Sequence, residues 1–164
     1  MDSKKLTKCL FFIYFVALVW IILFKMQLPF AQLGYLRSVN LIPFAGSTDA
    51  EGRLILREIV ENVLIFIPFG VFCCMLGQSR SWLKRIAPVF FTSLTLELLQ
   101  YVLGIGVTDI TDLLGNTLGG VLGMGVFGIF SKLCREKVYT VLNAVTLMGA
   151  AGMCLLIGVL FIVN

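Results

Sequence analysis

Five apolar runs, broken by short polar or charged stretches, set the pattern of this chain: about residues 6–24, 59–76, 86–103, 112–130 and 141–163. Each is close to the ~20 residues that carry an α-helix across the ~30 Å hydrocarbon layer of a bilayer. The pattern predicts an all-α integral membrane protein with five transmembrane helices, forming a single polytopic domain over residues 1–164. Lys4, Lys5 and Lys8 come ahead of the uninterrupted apolar part of the first run, Cys9 to Phe24, as they would in a signal peptide. The run is long for that purpose, and Pro29-Phe30-Ala31 is a poor cleavage site, so a retained first helix is expected. Pro68 and Gly70 fall mid-way along the second run, where a kink is expected, and Pro88 falls in the first turn of the third.

The connection over 26–57 is the one long break, and it is mixed rather than polar: Leu28-Pro29-Phe30, then Val39-Asn40-Leu41-Ile42-Pro43-Phe44, then Gly46-Ser47-Thr48-Asp49. A solvated linker would be more polar. This one is expected to lie at the membrane interface or to fold back on the helices.

Polar residues inside the apolar runs are concentrated between Ser93 and Gly123. Ser93, Glu97, Gln100 and Tyr101 share one helical face, and Asp112, Asn116, Gly119 and Gly123 share another. A carboxylate at bilayer depth is costly, so it faces protein, a partner or a water-filled cavity. The glycines let a neighbouring helix come close on that same face. The two helices are therefore expected to turn their polar faces toward each other or a shared cleft. Between them, Gly104–Thr111 reads as a turn, with Thr108 or Asp109 able to cap the following helix and Asp112 in its first turn.

Charge adds the orientation. With the N-terminus in the cytoplasm, nine of the thirteen Lys and Arg fall inside, at Lys4, Lys5, Lys8, Arg80, Lys84, Arg85, Lys132, Arg135 and Lys137. Lys25, Arg37, Arg53 and Arg57 fall outside. The positive-inside rule then gives an N-in, C-out protein with one long extracytoplasmic loop. In that frame Glu61 and Asn62 open the second helix from outside, Glu97 lies ~9 Å and Asn116 ~6 Å below the outer ends of their helices. All converge on the outer half of the bilayer.

Composition narrows the chemistry. The chain is 59% hydrophobic and 13% charged with mean hydropathy +1.01, beyond the range of a soluble domain. No basic run exceeds two residues, which argues against nucleic acid as a partner. Histidine is absent, removing any Ser-His-Asp triad, H-E-x-x-H zinc site or histidine proton relay. None of the five cysteines falls in a C-x-x-C pair, and all read as small apolar residues. No cofactor or metal site is expected. Glu97 could lock helix packing by hydrogen bonding or act through its charge on a ligand or proton; the charge-dependent role is the one expected. Asp109 and Asp112 read as capping groups, Asn116 as an interhelical hydrogen-bonding residue, and the glycines as packing residues.

Taken in order, Val39-Asn40-Leu41-Ile42-Pro43-Phe44, Asn62 through Pro68-Phe69-Gly70, Glu97-Leu98-Leu99-Gln100, Thr108-Asp109-Ile110-Thr111-Asp112 and Asn116-Thr117-Leu118-Gly119 resemble the VanZ-like membrane protein family over about residues 37–130. The resemblance implies a small multi-pass protein of the bacterial cytoplasmic membrane. The family's namesake is linked to low-level resistance to the lipoglycopeptide teicoplanin, and relatives to susceptibility to envelope-active agents. Many relatives carry a basic residue shortly before the D-x-x-D-x-x-x-N element. Gly106-Val107 stands there instead, and Arg57 or Arg53 is the candidate replacement. The reading that results is a non-enzymatic envelope protein whose outward polar cleft binds a membrane lipid or lipid-linked amphiphile. Its cluster is Glu97, Gln100, Asp109, Asp112, Asn116, Asn62, Asn40 and Arg57, with no catalytic residue assigned. The alternative is an intramembrane enzyme using Glu97 with Asp109 or Asp112 in acid–base or metal-assisted chemistry. A transporter is disfavoured by the absence of an inverted repeat.

Overall fold

The computed structural model of the protein describes residues 3–24, 36–44, 56–77 and 81–163, with side chains undescribed at 24, 36, 37, 106, 107 and 152–163. The described residues form five helices, α1 (Ser3–Phe24), α2 (Leu56–Leu76), α3 (Trp82–Leu103), α4 (Ile110–Cys134) and α5 (Val138–Val163), with a 3-10 turn, Arg135–Lys137, between the last two. Four helical stretches are long and apolar enough to cross a membrane: Ser3–Leu23, Leu56–Leu76, Trp82–Leu103 and Ile110–Ala151. The fourth, of 42 residues, runs from α4 through the 3-10 turn into α5. The chain is therefore a multi-pass, predominantly helical membrane protein. Its exposed apolar side chains, among them Phe12, Trp20, Leu64, Phe91, Leu122 and Ile129, are distributed over several helices as a lipid-facing surface requires.

Helix ends gather at two levels. At one, Thr7 of α1 donates its hydroxyl to Oδ1 of Asn143 in α5 (3.0 Å), and Tyr139 of α5 donates to the Met75 carbonyl at the end of α2 (3.2 Å). At the other, Gln100 near the end of α3 donates to the Ile22 carbonyl near the end of α1 (2.8 Å). We call these the turn end, where α2 passes to α3, and the hinge end, where α3 passes to α4.

Within hydrocarbon, lipid tails are as apolar as leucine, so close packing and hydrogen bonds hold helices together. The closest packing is between α2 and α4. A methyl group placed on Gly119 would strike the Val63 carbonyl oxygen, one on Gly123 the Ile67 carbonyl oxygen, and one on Gly70 the Gly120 carbonyl oxygen. The glycine stripe thus packs on α2, a helix the sequence reading did not single out as its partner. Only Gly120 turns to α3, where an added Cβ would meet Val89. Around this contact lies a core of Leu18, Phe66, Phe69, Val89, Leu96 and Met124. A second cluster toward the turn end includes Leu10, Phe72, Met75 and Leu142. Phe11, Tyr14 and Phe15 of α1 meet Phe69 and Phe72 of α2 at ring separations of 5.4–6.4 Å, within the range in which aromatic pairs attract. α1 is thereby built into the bundle.

The structure departs from the sequence reading at the hinge. Residues Ile105–Asp109, read as a turn, form a strand (β2) that pairs in parallel with Leu36–Asn40 (β1) from the long connection. Apart from this short pair the described fold is all-helical. The rest of that connection, with Arg53, Thr48 and Asp49, lies outside the described residues. α3 begins at Trp82, earlier than expected, which moves Pro88 from the first helical turn into the second. There its missing N–H deprives the Lys84 carbonyl of an i→i−4 partner. α2 is assigned as helix without a break through Pro68.

Candidate functional site: the stitched hinge

α3 ends at Gly104, which adopts φ 63°, ψ 35° and returns its N–H to the Gln100 and Tyr101 carbonyls. This left-handed cap needs a residue without Cβ strain, and glycine supplies it. The chain then reverses into β2, and two bonds fasten that strand to one residue of α3. The Thr108 hydroxyl donates to the Glu97 carbonyl (3.0 Å), and the Asp109 backbone N–H donates to Glu97 Oε2 (3.2 Å). Glu97 is 3% exposed, so the carboxylate lies inside the protein as its apolar setting demands.

Asp109 is the second node. Its Oδ1 accepts from the Thr111 N–H (2.8 Å), capping α4 as the sequence suggested, and its Oδ2 accepts from Asn40 Nδ2 (3.0 Å). Asn40 in turn accepts the Ile42 N–H on its Oδ1 (3.2 Å), an Asx turn that bends the chain out of β1. Two residues on, the Phe44 N–H donates to the Thr111 hydroxyl (2.9 Å). Phe44 is held at φ 66°, a region that bulky residues avoid, and that bond fastens it there. Val39, Leu41, Ile42 and Phe44 are all exposed. The hinge end therefore carries an apolar tip fixed to a buried polar joint.

The remaining candidates bond outside that joint. Asn62 of α2 donates to Asp112 Oδ1 of α4 (2.6 Å), and Asn116 of α4 donates to the Ser93 hydroxyl of α3 (2.9 Å). Gln100 reaches α1 rather than the hinge. Gln100 Oε1 and Asn116 Oδ1 are buried acceptors without a partner among the described residues. Each has room in its chemistry for one more donor, such as water.

Of the eight expected residues, Asn40, Glu97 and Asp109 thus share one hydrogen-bonded joint, while Asn62 with Asp112, Asn116 with Ser93, and Gln100 with α1 form separate ties within the same bundle. Arg57 does not join them. It forms an ion pair with Glu61 (2.7 Å) one turn along the exposed face of α2. It does not stand in for a basic residue before the Asp109 element. The strand register instead sets Arg37 opposite Gly106. Tyr101 is exposed and leaves the face it was expected to share with Ser93, Glu97 and Gln100. Thr111 went unnoticed, although a threonine two residues after a capping aspartate was the available signal. Thr7 and Asn143, buried together at the turn end, also went unnoticed; two lone polar residues in separate apolar runs are not recognisable as partners from the sequence.

Among the described residues most of these oxygens and amides bond one another, Gln100 Oε1 and Asn116 Oδ1 being the exceptions. The segments that match the family resemblance are thus the ones the geometry joins: Asn40 to Phe44, Asn62, Glu97 to Gln100, Asp109 to Asp112, and Asn116. The VanZ/LLP1 family model matches residues 11–131. The chain belongs to the VanZ/LLP1 family. The match begins inside α1, so the VanZ-like region is longer than the 37–130 expected from the motifs. Protein VanZ of Enterococcus faecium is 38% identical over 137 residues, covering 82% of this chain and 81% of that protein. No solved structure matches the chain. The whole hinge network lies within the VanZ/LLP1 match, whereas Thr7 and Asn143 lie outside it.

Proposed function

We propose that the protein is a five-pass component of the bacterial cytoplasmic membrane, N-in and C-out, that lowers susceptibility to teicoplanin-type lipoglycopeptides by engaging an amphiphile at its outer face. The fifth pass rests on length. The stretch Ile110–Ala151 spans 42 residues, ~63 Å of helix, about twice a bilayer's apolar thickness, and the charged turn Arg135–Lys137 interrupts it. Grouping of the N-termini of α1 and α5 with the C-terminus of α2 fits alternating passes. The basic residues of the turn end then lie in the cytoplasm and the hinge end faces outward.

The observation that carries the functional reading is the exposed tip Leu41–Phe44, fixed in a strained conformation by Asn40, Asp109 and Thr111. Strain held by surrounding structure is a mark of functional segments. An exposed apolar tip above a membrane is suited to an acyl chain, whether on a lipid-linked precursor or on a lipidated antimicrobial. The carboxylates of the joint serve here as acceptors for the protein's own donors, which supports binding rather than catalysis.

The test compares a host with and without the protein against teicoplanin and against a glycopeptide lacking an acyl chain. Protection confined to the acylated drug supports the reading. Equal protection against both, or none against either, overturns it.

A further inference from the structure

At the turn end, far from the hinge, a cavity of about 300 Å³ opens between α1, α2 and α3. Phe11, Phe69, Phe72 and Leu76 form much of its wall, and Lys84, Arg85 and Pro88 of α3 complete it. We propose that this cavity holds an acyl chain of an anionic phospholipid of the cytoplasmic leaflet, with the lipid phosphate against Lys84 and Arg85.

Size and lining argue for the chain. Liquid water occupies ~30 Å³ per molecule, so the space equals about ten waters, and each ordered water needs two to four polar partners. Aromatic rings and a leucine side chain supply none, and the polar side chains of the lining are limited to Lys84, Arg85 and Cys73, so an apolar occupant fits better than a full complement of waters. Charge argues for the headgroup. Lys84 is exposed and Arg85 half-buried, and the Arg85 guanidinium is drawn back toward α2 by its contact with Cys74 Sγ (3.7 Å). Two cations thus sit at the end of two membrane helices, beside an apolar chamber and at the level of lipid phosphates. A long basic side chain there donates to a phosphate while its stem covers apolar surface.

The test measures lipid retention on the full-length purified protein, by native mass spectrometry and by thermal stabilisation with added phosphatidylglycerol or phosphatidylcholine. Phosphatidylglycerol should be retained and stabilise the fold, and phosphatidylcholine should do so far less. Each neutralised cation should weaken phosphatidylglycerol binding about fivefold, the loss expected of one basic residue near an anionic headgroup. Lys84→Gln is exposed and should fold normally; Arg85→Gln should add to its effect. Lys132→Gln, on the other loop at the same end, should leave binding unchanged. Cys73→Phe, which fills the cavity, should abolish retention. If that variant fails to fold, the Lys84→Gln and Lys132→Gln comparison decides alone. Equal binding of the two lipids, equal loss from Lys84→Gln and Lys132→Gln, or displacement by millimolar inorganic phosphate each overturns the proposal. So does a cavity occupied by a second copy, seen as dimerisation that Cys73→Phe removes without any lipid preference. None of these outcomes depends on drug susceptibility, so failure here and failure at the outer face are distinguishable.

Discussion

Glu97 accepts a backbone N–H where an intramembrane carboxylate might have met only another side chain. Its substitutions therefore separate acceptor from charge. Glu97→Leu strands the buried Asp109 N–H and should cost about 1–3 kcal/mol, seen as reduced membrane abundance and a lower melting temperature. Glu97→Gln keeps an acceptor oxygen and should remain within about 1 kcal/mol of wild type. If Glu97 also acts through its charge, as the sequence reading expects, Glu97→Gln should lose teicoplanin protection at matched abundance. Full protection by Glu97→Gln would reduce Glu97 to a packing residue. Phe44 gives the complementary case. Replacing it with glycine relieves ~1–2 kcal/mol of left-handed strain, so the melting temperature should hold or rise. Loss of the exposed ring should lower protection; a fully protective Phe44→Gly protein would remove the tip from the functional reading.

At the scale of elements, the α2–α4 contact is the rigid seam of the molecule, since carbonyl oxygens occupy the space a side chain would need. Gly119→Leu should wedge the helices apart and cost about 1–3 kcal/mol, read as thermal stability in detergent. Gly128, one turn past the seam, has nothing within 4 Å of an added Cβ, and Gly128→Leu should be close to neutral. Equal stability of the two variants would contradict the seam. The β1–β2 pair is the opposite kind of element, a two-stranded ribbon too small to stand alone and stabilised by its side-chain ties. Asp109→Ala breaks two of those ties, to Asn40 and to the Thr111 N–H, and should cost about 1–2 kcal/mol through loss of the cap alone. Limited proteolysis near Asn40 should rise in that variant, and unchanged protection from protease would show that the ribbon does not need Asp109.

For the whole molecule, the proposed topology is read by cysteine labelling in a background from which the five native cysteines have been replaced. An impermeant probe should reach a cysteine at Thr48 in intact cells, and one at Glu136 only after permeabilisation. Labelling of Glu136→Cys in intact cells would invert the molecule, move the hinge to the cytoplasm and remove the outward-facing reading with it.

What the sequence determined by itself follows from constraints that act locally. Long apolar runs must become helices in a bilayer, because no water is present to satisfy the backbone, so α1 through α5 are legible from hydropathy alone. Asp109 as a cap, Gly119 and Gly123 as packing positions, and Asn62, Glu97 and Asn116 as inward-facing polar groups follow from helical spacing and the cost of burying charge. Which helix meets which is a different matter. The glycine stripe is equally suited to α2 or α3, and only the packed bundle sets it against the carbonyls of Val63 and Ile67. The parallel pairing of Leu36–Asn40 with Ile105–Asp109 joins segments almost seventy residues apart; the first lacks the alternation that marks a strand, and the second alternates over too few residues to stand out beside its glycines. Arg57 looked available to the cluster because nothing in a sequence reveals that Glu61, one helical turn away, holds it on the exposed face. Tertiary structure alone brought Asn40, Glu97, Asp109 and Thr111 to one joint, because hydrogen-bond partners distant in sequence are selected by how the helices pack and not by any periodicity along the chain.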